Sequence, residues 1–155
     1  MTGFVGLAVK ADWNKATDRD WAVVLAGLPL FAGIGKRDLR RLAREAEFAE
    51  FSPGDTVVAT GAPPDFFYVI LSGEARASAR PAARTLTTGD YFGEMGLLDG
   101  EARSATVVAL SELHVMRLSR RAFDGSVERH PGLARRLMIE LGSRVRRLER
   151  QAARR

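Results

Sequence analysis

The chain has 155 residues, 46% of them hydrophobic, which is enough for one well-buried domain and too few for a second full one. It has no cysteine and only two histidines, His114 and His130, so disulfides, thiolate metal sites and thiol nucleophiles are excluded, and a histidine metal centre or a His-based triad has little to build on. The formal net charge of +5 belongs to the tail: Pro131 to Arg155 holds eight Arg against two Glu, leaving the remainder slightly acidic.

Residues 1–16 show no convincing period and are expected to form a loose N-terminal arm, with a single domain over 17–155. Phe4 to Val9 is too short for a signal peptide and lacks a basic stretch before it. Trp21 to Gly35 falls short of a membrane span and contains Pro29, so a soluble cytoplasmic protein is expected, with no membrane partner. Within the domain, helices are expected over 17–47. Thr17 and Asp20 form a capping-box pattern that starts a helix through Trp21, Val24, Leu25 and Leu28, broken by Pro29 and Gly33. A second helix begins near Lys36, with Leu39, Leu42, Ala43 and Ala46 on one face and Arg40, Arg41, Arg44 and Glu45 on the other.

From Phe48 the period shortens to that of strands, which are expected over 48–118. Phe48 and Phe51 precede Pro53-Gly54, Thr56 to Val58 precede Gly61, and Phe66 to Leu71 precede Ser72-Gly73. The run Phe66-Phe67-Tyr68-Val69-Ile70-Leu71 is apolar without a break, which predicts a strand buried on both faces. Strands at Ala75 to Ser78 and Ala83 to Thr87 follow, with Ala79 to Ala82 as a solvated tip and Thr88-Gly89-Asp90 as a turn. Thr106 to Leu110 and Leu113 to Leu118 read as a closing strand pair. Many short strands between Gly turns suggest a sandwich-like barrel or jelly roll.

Between the last two groups of strands lies Tyr91 to Ala109, Y-F-G-E-M-G-L-L-D-G-E-A-R-S-A-T-V-V-A, which carries the chemistry. Gly93 and Gly96 let the backbone approach a ligand closely. A turn of helix opening near Gly96 would aim free N–H groups at an anion. Arg103 adds a planar fork for two phosphate oxygens, and Ser104 adds a hydroxyl donor. Glu94 would repel a phosphate and makes sense only against a sugar hydroxyl of the same ligand. An anion beside a hydroxyl is a ribose phosphate, and a compact cyclic monoanion suits a single Arg. The competing reading is a Gly-rich turn with Glu94 and Arg103 as an exposed ion pair, worth about 0–1 kcal/mol.

At these residues the sequence resembles the cyclic-nucleotide-binding domain of catabolite activators, kinase regulatory subunits and cyclic-nucleotide-gated channels. That family's phosphate-binding cassette, F-G-E-x-[AG]-L, a spacer, then R-[ST/A]-A-x, is matched by Phe92-Gly93-Glu94-Met95-Gly96-Leu97 and Arg103-Ser104-Ala105-Thr106. V-V-A-T-G-A-P-P-D-F-F-Y-V-I-L-S-G and L-P-L-F-A-G-I resemble the family's first signature and the start of its N-terminal helical bundle. The resemblance implies an α+β fold, an eight-stranded antiparallel β-roll (jelly-roll-like, a double-stranded β-helix) flanked by N-terminal and C-terminal helices. It also implies that Glu94 binds the ribose 2′-hydroxyl, and that Arg103, Ser104 and the N–H groups of Gly96, Leu97 and Ala105 hold the cyclic phosphate. Gly93 and Met95 complete the cassette, which spans 92–106.

Beyond the strands, helices are expected over 119–155. Ser119 is a candidate N-cap for a helix from Arg120 to about Glu128, and Pro131 suits the start of a last helix reaching about Gln151. Ala134, Met138, Leu141, Val145 and Leu148 repeat at spacings of four and three, which suits equally a seam through which two copies could pair as a homodimer and a single amphipathic helix folded on the domain, with Leu133 and Leu137 beside it facing the chain's own barrel. The resemblance makes this helix the lid over the base, with Leu141, Arg144, Val145 and Leu148 in reach. Ser143 is its only hydroxyl.

The expected function is a non-catalytic receptor for cyclic AMP, with cyclic GMP the competing ligand, no metal and no cofactor, signalling through its C-terminal helix to a downstream protein. The alternative is the sensing part of a catabolite-activator-type transcription regulator, whose helix-turn-helix would have to lie beyond Arg155. Specific nucleic-acid binding is not expected, because the tail arginines lie on several helix faces with no interleaved aromatics. A cupin-type barrel enzyme lacks the clustered histidines its metal needs.

Overall fold

Thr17 opens the first helix with a reciprocal cap: its hydroxyl accepts from the Asp20 N–H at 3.3 Å, and its own N–H donates to Asp20 Oδ2 at 2.9 Å. The helix, α1, spans Asp18–Ala26 and buries Trp21, Val24 and Leu25. The sequence carried it on to Leu28, but Pro29 disfavours the helical region for the residue before it. Leu28 is accordingly extended (φ −87°, ψ 130°), and Pro29–Phe31 forms a short 3-10 turn that the sequence reading lacked. Helix α2, Lys36–Glu45, follows with Leu39, Leu42 and Ala43 inward. The computed structural model describes residues 17–63, 65–78, 83–93 and 105–154.

Among the described residues eight strands form two four-stranded antiparallel sheets. They are β1 (Glu47–Phe51), β2 (Thr56–Val58), β3 (Phe66–Ser72), β4 (Ala75–Ser78), β5 (Arg84–Leu86), β6 (Tyr91–Phe92), β7 (Thr106–Ala109) and β8 (Leu113–Ser119). One sheet runs β1-β8-β3-β6, the other β2-β7-β4-β5. This is the expected α+β architecture, an eight-stranded β-roll with helices on either side of it in sequence. One detail differs: β7 and β8, read as a pair, belong to different sheets, and the chain crosses between them at Leu110 to Glu112. Glu74 holds that crossing, its carbonyl accepting from Leu110 N–H at 2.9 Å and its own N–H donating to Ser111 Oγ at 3.0 Å.

Strand β3 explains how two cores share one sheet. Its even positions, Tyr68 and Ile70, join Leu113 and Val115 in the space between the sheets, while Phe67, Val69 and Leu71 join Met116, Leu118 and the helices outside. Alternation along a strand sends successive side chains to opposite faces, so an unbroken apolar run is what a sheet covered on both sides requires. Trp21 stacks on Phe48 of β1 at 4.2 Å between centroids, which seats α1 on the outer face.

Ser119 ends β8 and caps the next helix, α3 (Arg120–Arg129), its hydroxyl accepting from Ala122 N–H at 3.2 Å. Phe123 then packs 5.0 Å from Phe67. Pro131 begins α4, Pro131–Ala153, whose Leu133 and Leu137 are buried among the outer-face residues. His114 is 7% exposed, within hydrogen-bond distance of Ser72 Oγ (3.1 Å) through Nδ1 and of Glu50 Oε1 (3.2 Å) through Nε2. Among the described residues no helix is long and apolar enough to cross a membrane.

Candidate functional site

The motif begins where β6 ends. This two-residue strand pairs with β3 at Tyr68↔Phe92 and Val69↔Tyr91 and is gripped from both faces. Phe92 stacks on Tyr68 between the sheets (4.8 Å, 5° between planes), and Tyr91 lies 5.6 Å from Phe67 on the helical side. The turn before it is equally fixed. Gly89 N–H donates to the Ile70 carbonyl at 2.8 Å, Ile70 N–H to the Asp90 carbonyl at 2.9 Å, and Thr87 N–H to Asp90 Oδ2 at 2.7 Å. The chain therefore reaches Gly93 in a defined direction.

Gly93 has φ 92°, a conformation side chains with a Cβ resist. A glycine is required here by the backbone. The chain leaves the edge strand of one sheet at this point and returns, at Ala105 and Thr106, to an interior strand of the other. Residues 94–104 thus link the two sheets.

The return is anchored as well. Thr106 pairs with Ser78 of β4 on one side. On the other, its Oγ1 accepts from Thr60 N–H at 3.0 Å and lies 2.9 Å from Thr60 Oγ1. Sequence reading did not single out Thr60. Gly61 beside it was legible as a turn, but nothing local connects a turn residue with a strand 46 positions away.

Of the residues expected to form the site, Gly93 and Ala105 are described, at the two ends of the link. Glu94, Met95, Gly96, Leu97, Arg103 and Ser104 lie outside the described residues, as does the Arg144 side chain. Of the other expected lid residues, Leu141 is half-buried and Val145 and Leu148 are 54% and 44% exposed. Among the described residues no group of three or more His, Asp or Glu is arranged to hold a metal ion.

Residues 48–130 match the protein family described as cyclic nucleotide-binding domain. A cAMP-dependent protein kinase regulatory subunit of Aspergillus fumigatus is 33% identical over 108 residues, 68% of this chain and 26% of that protein. The chain therefore spans about a quarter of the length of the curated relative it matches. Among solved structures, cAMP-bound PfPKA-R superposes with a TM-score of 0.79 at 23% identity, over 88% of this chain and 48% of the other, a likeness of fold. The catabolite activator protein of Thermus thermophilus superposes with a TM-score of 0.71 at 27% identity, over 80% of this chain and 61% of that one.

Proposed function

The chain belongs to the cyclic nucleotide-binding domain family, and from that premise we propose that it is a receptor module that binds cyclic AMP, with cyclic GMP as the alternative ligand, and passes the signal on through α4 to a protein partner. In this reading Glu94 accepts a hydrogen bond from the ribose 2′-hydroxyl. Arg103 forks onto the cyclic phosphate, and Ser104 with the N–H groups of Gly96, Leu97 and Ala105 completes the cradle. A single guanidinium matches the single charge of a cyclic phosphodiester, and the nucleotide is sensed without being cleaved.

The observation that carries the reading is the match over 48–130, which contains the whole motif together with the strands on either side of it. Support comes from Gly93, whose φ of 92° suits a backbone turning sharply into a ligand cradle. Calorimetry of the purified chain tests it: cyclic AMP binds more tightly than cyclic GMP, and Arg103→Leu lowers affinity about tenfold to more than a hundredfold, as the loss of a charge-assisted contact does. Heat with neither nucleotide, or an unchanged affinity in a folded Arg103→Leu, sinks the assignment.

The exposed side of α4 favours a second reading, the sensing part of a catabolite-activator-type transcription regulator. Met138, Val145 and Leu148 present an apolar seam at 65%, 54% and 44% exposure. Two copies packed along it would cover that seam. Sedimentation equilibrium distinguishes the readings: a dimer dissociated by Val145→Glu supports this one, and a monomer at all concentrations rejects it.

A further inference from the structure

We propose that Thr60 is a positioning residue for the phosphate side of the nucleotide site, acting through Thr106; the inference rests on the reading of residues 92–106 as a cyclic-phosphate cradle. Thr60 lies in a tight turn in which Ala62 N–H donates to the Ala59 carbonyl at 3.0 Å and Gly61 takes φ 87°. Such a turn needs a glycine at its third position and leaves the N–H of its second residue free to donate elsewhere. That second residue is Thr60, and its N–H goes to Thr106 Oγ1.

The contact falls where the β2–β7 ladder ends, on the side of Thr106 away from β4. The β2–β7 ladder is irregular between Thr56 and Val58 and runs to Val58↔Val107. Thr106 continues β7 one residue further, towards the motif, and there the turn takes over, Thr60 reaching the Thr106 hydroxyl with its backbone N–H and with its own hydroxyl. Threonine is stiff about its first side-chain torsion, so holding Oγ1 with two atoms of Thr60 also restrains the backbone that bears it. Ala105 is the next residue, and its N–H is one of those assigned to the phosphate. Thr60 therefore holds a donor of the cradle in place before the ligand arrives, and affinity benefits because less order is lost on binding.

Isosteric variants separate this role from general stability. Thr60→Val keeps the backbone contact and loses the hydroxyl pair, whereas Thr106→Val loses both contacts. Thr60→Val should weaken cyclic AMP binding about two- to tenfold. Thr106→Val should weaken it more, and the double variant no further than Thr106→Val alone, because the two side chains act as one unit. Thr60→Ser should restore wild-type affinity. The phosphorus resonance of the bound nucleotide should shift in Thr60→Val and return in Thr60→Ser, a readout that loss of stability elsewhere leaves unmoved. Wild-type binding with undiminished affinity in both valine variants overturns the inference alone, as does a loss that Thr60→Ser fails to rescue. If the wild-type chain binds neither nucleotide, the cradle reading falls and the inference with it.

Discussion

Gly73 and Gly93 have nearly the same backbone torsion, φ 94° and 92°, but they are constrained by different things. Gly73 sits in the turn between β3 and β4, where an added Cβ would collide with the Glu112 backbone carbonyl, so its smallness is a packing requirement. Gly93 directs the chain into the motif. Strain of this kind costs about 1–3 kcal/mol, or roughly 2–10 °C in melting temperature for a chain of this size. Gly73→Ala and Gly93→Ala should both lower the melting temperature, Gly73→Ala more because a backbone clash adds to its torsion. Only Gly93→Ala should also weaken cyclic AMP binding. Equal affinities in the two variants would count against a directing role for Gly93. At this scale the family was legible, because an arginine, a glutamate and glycines at fixed spacing form the pattern that the match over 48–130 contains; the ribose and phosphate roles of those residues are the proposal. Thr60 was not legible, since a hydrogen bond across 46 residues leaves no local pattern.

Elements were legible where one physical signal dominated. The unbroken Phe66 to Leu71 run announced β3 and its double burial, and Leu39, Leu42 and Ala43 announced the inward face of α2. Where two signals competed, the boundary moved. Apolar spacing carried α1 to Leu28, but the restriction that Pro29 places on its neighbour ended it at Ala26. The crossing between β7 and β8 was read as a pair because adjacent strands usually do pair; here the inner core takes Val107 and Ala109 from one sheet and Leu113 and Val115 from the other. Ser119 shows how one residue can serve two elements. Its backbone completes the β8 ladder opposite Phe66, and its hydroxyl caps α3. Ser119→Ala should cost about 1 kcal/mol through the lost cap and leave the strand pairing intact, so the melt shifts down by a few degrees while nucleotide affinity is unchanged. A melt identical to wild type would show that the cap contributes nothing here.

At the scale of the whole molecule, α4 is the element whose two halves differ. Leu133 and Leu137 are each 2% exposed and fasten its first turns to the outer face of the roll, whereas from Ser143 onward every described side chain is exposed. A helical segment without a packed face is only marginally stable in water, so this half can change position or order at little cost. In the proposed reading residues 92–106 serve ribose and phosphate and offer nothing evident for the base, and the family resemblance assigns the base to this helix. A ligand shifts an equilibrium only if it binds the two states differently, so contact between the base and Leu141, Val145 or Leu148 in one position of the helix would couple nucleotide binding to that position. Removing residues 143–155 should then weaken cyclic AMP binding while leaving the melting temperature nearly unchanged, because the buried anchor at Leu133 and Leu137 is retained. In the intact chain, hydrogen exchange across Leu133 to Leu148 should slow on adding cyclic AMP, most in the stretch from Leu141 to Leu148. If the shortened chain binds as tightly as the intact one and exchange in α4 does not respond, the base is met by the roll alone. The signal must then leave by another route, for which α1, α2 and α3 are the other helices among the described residues.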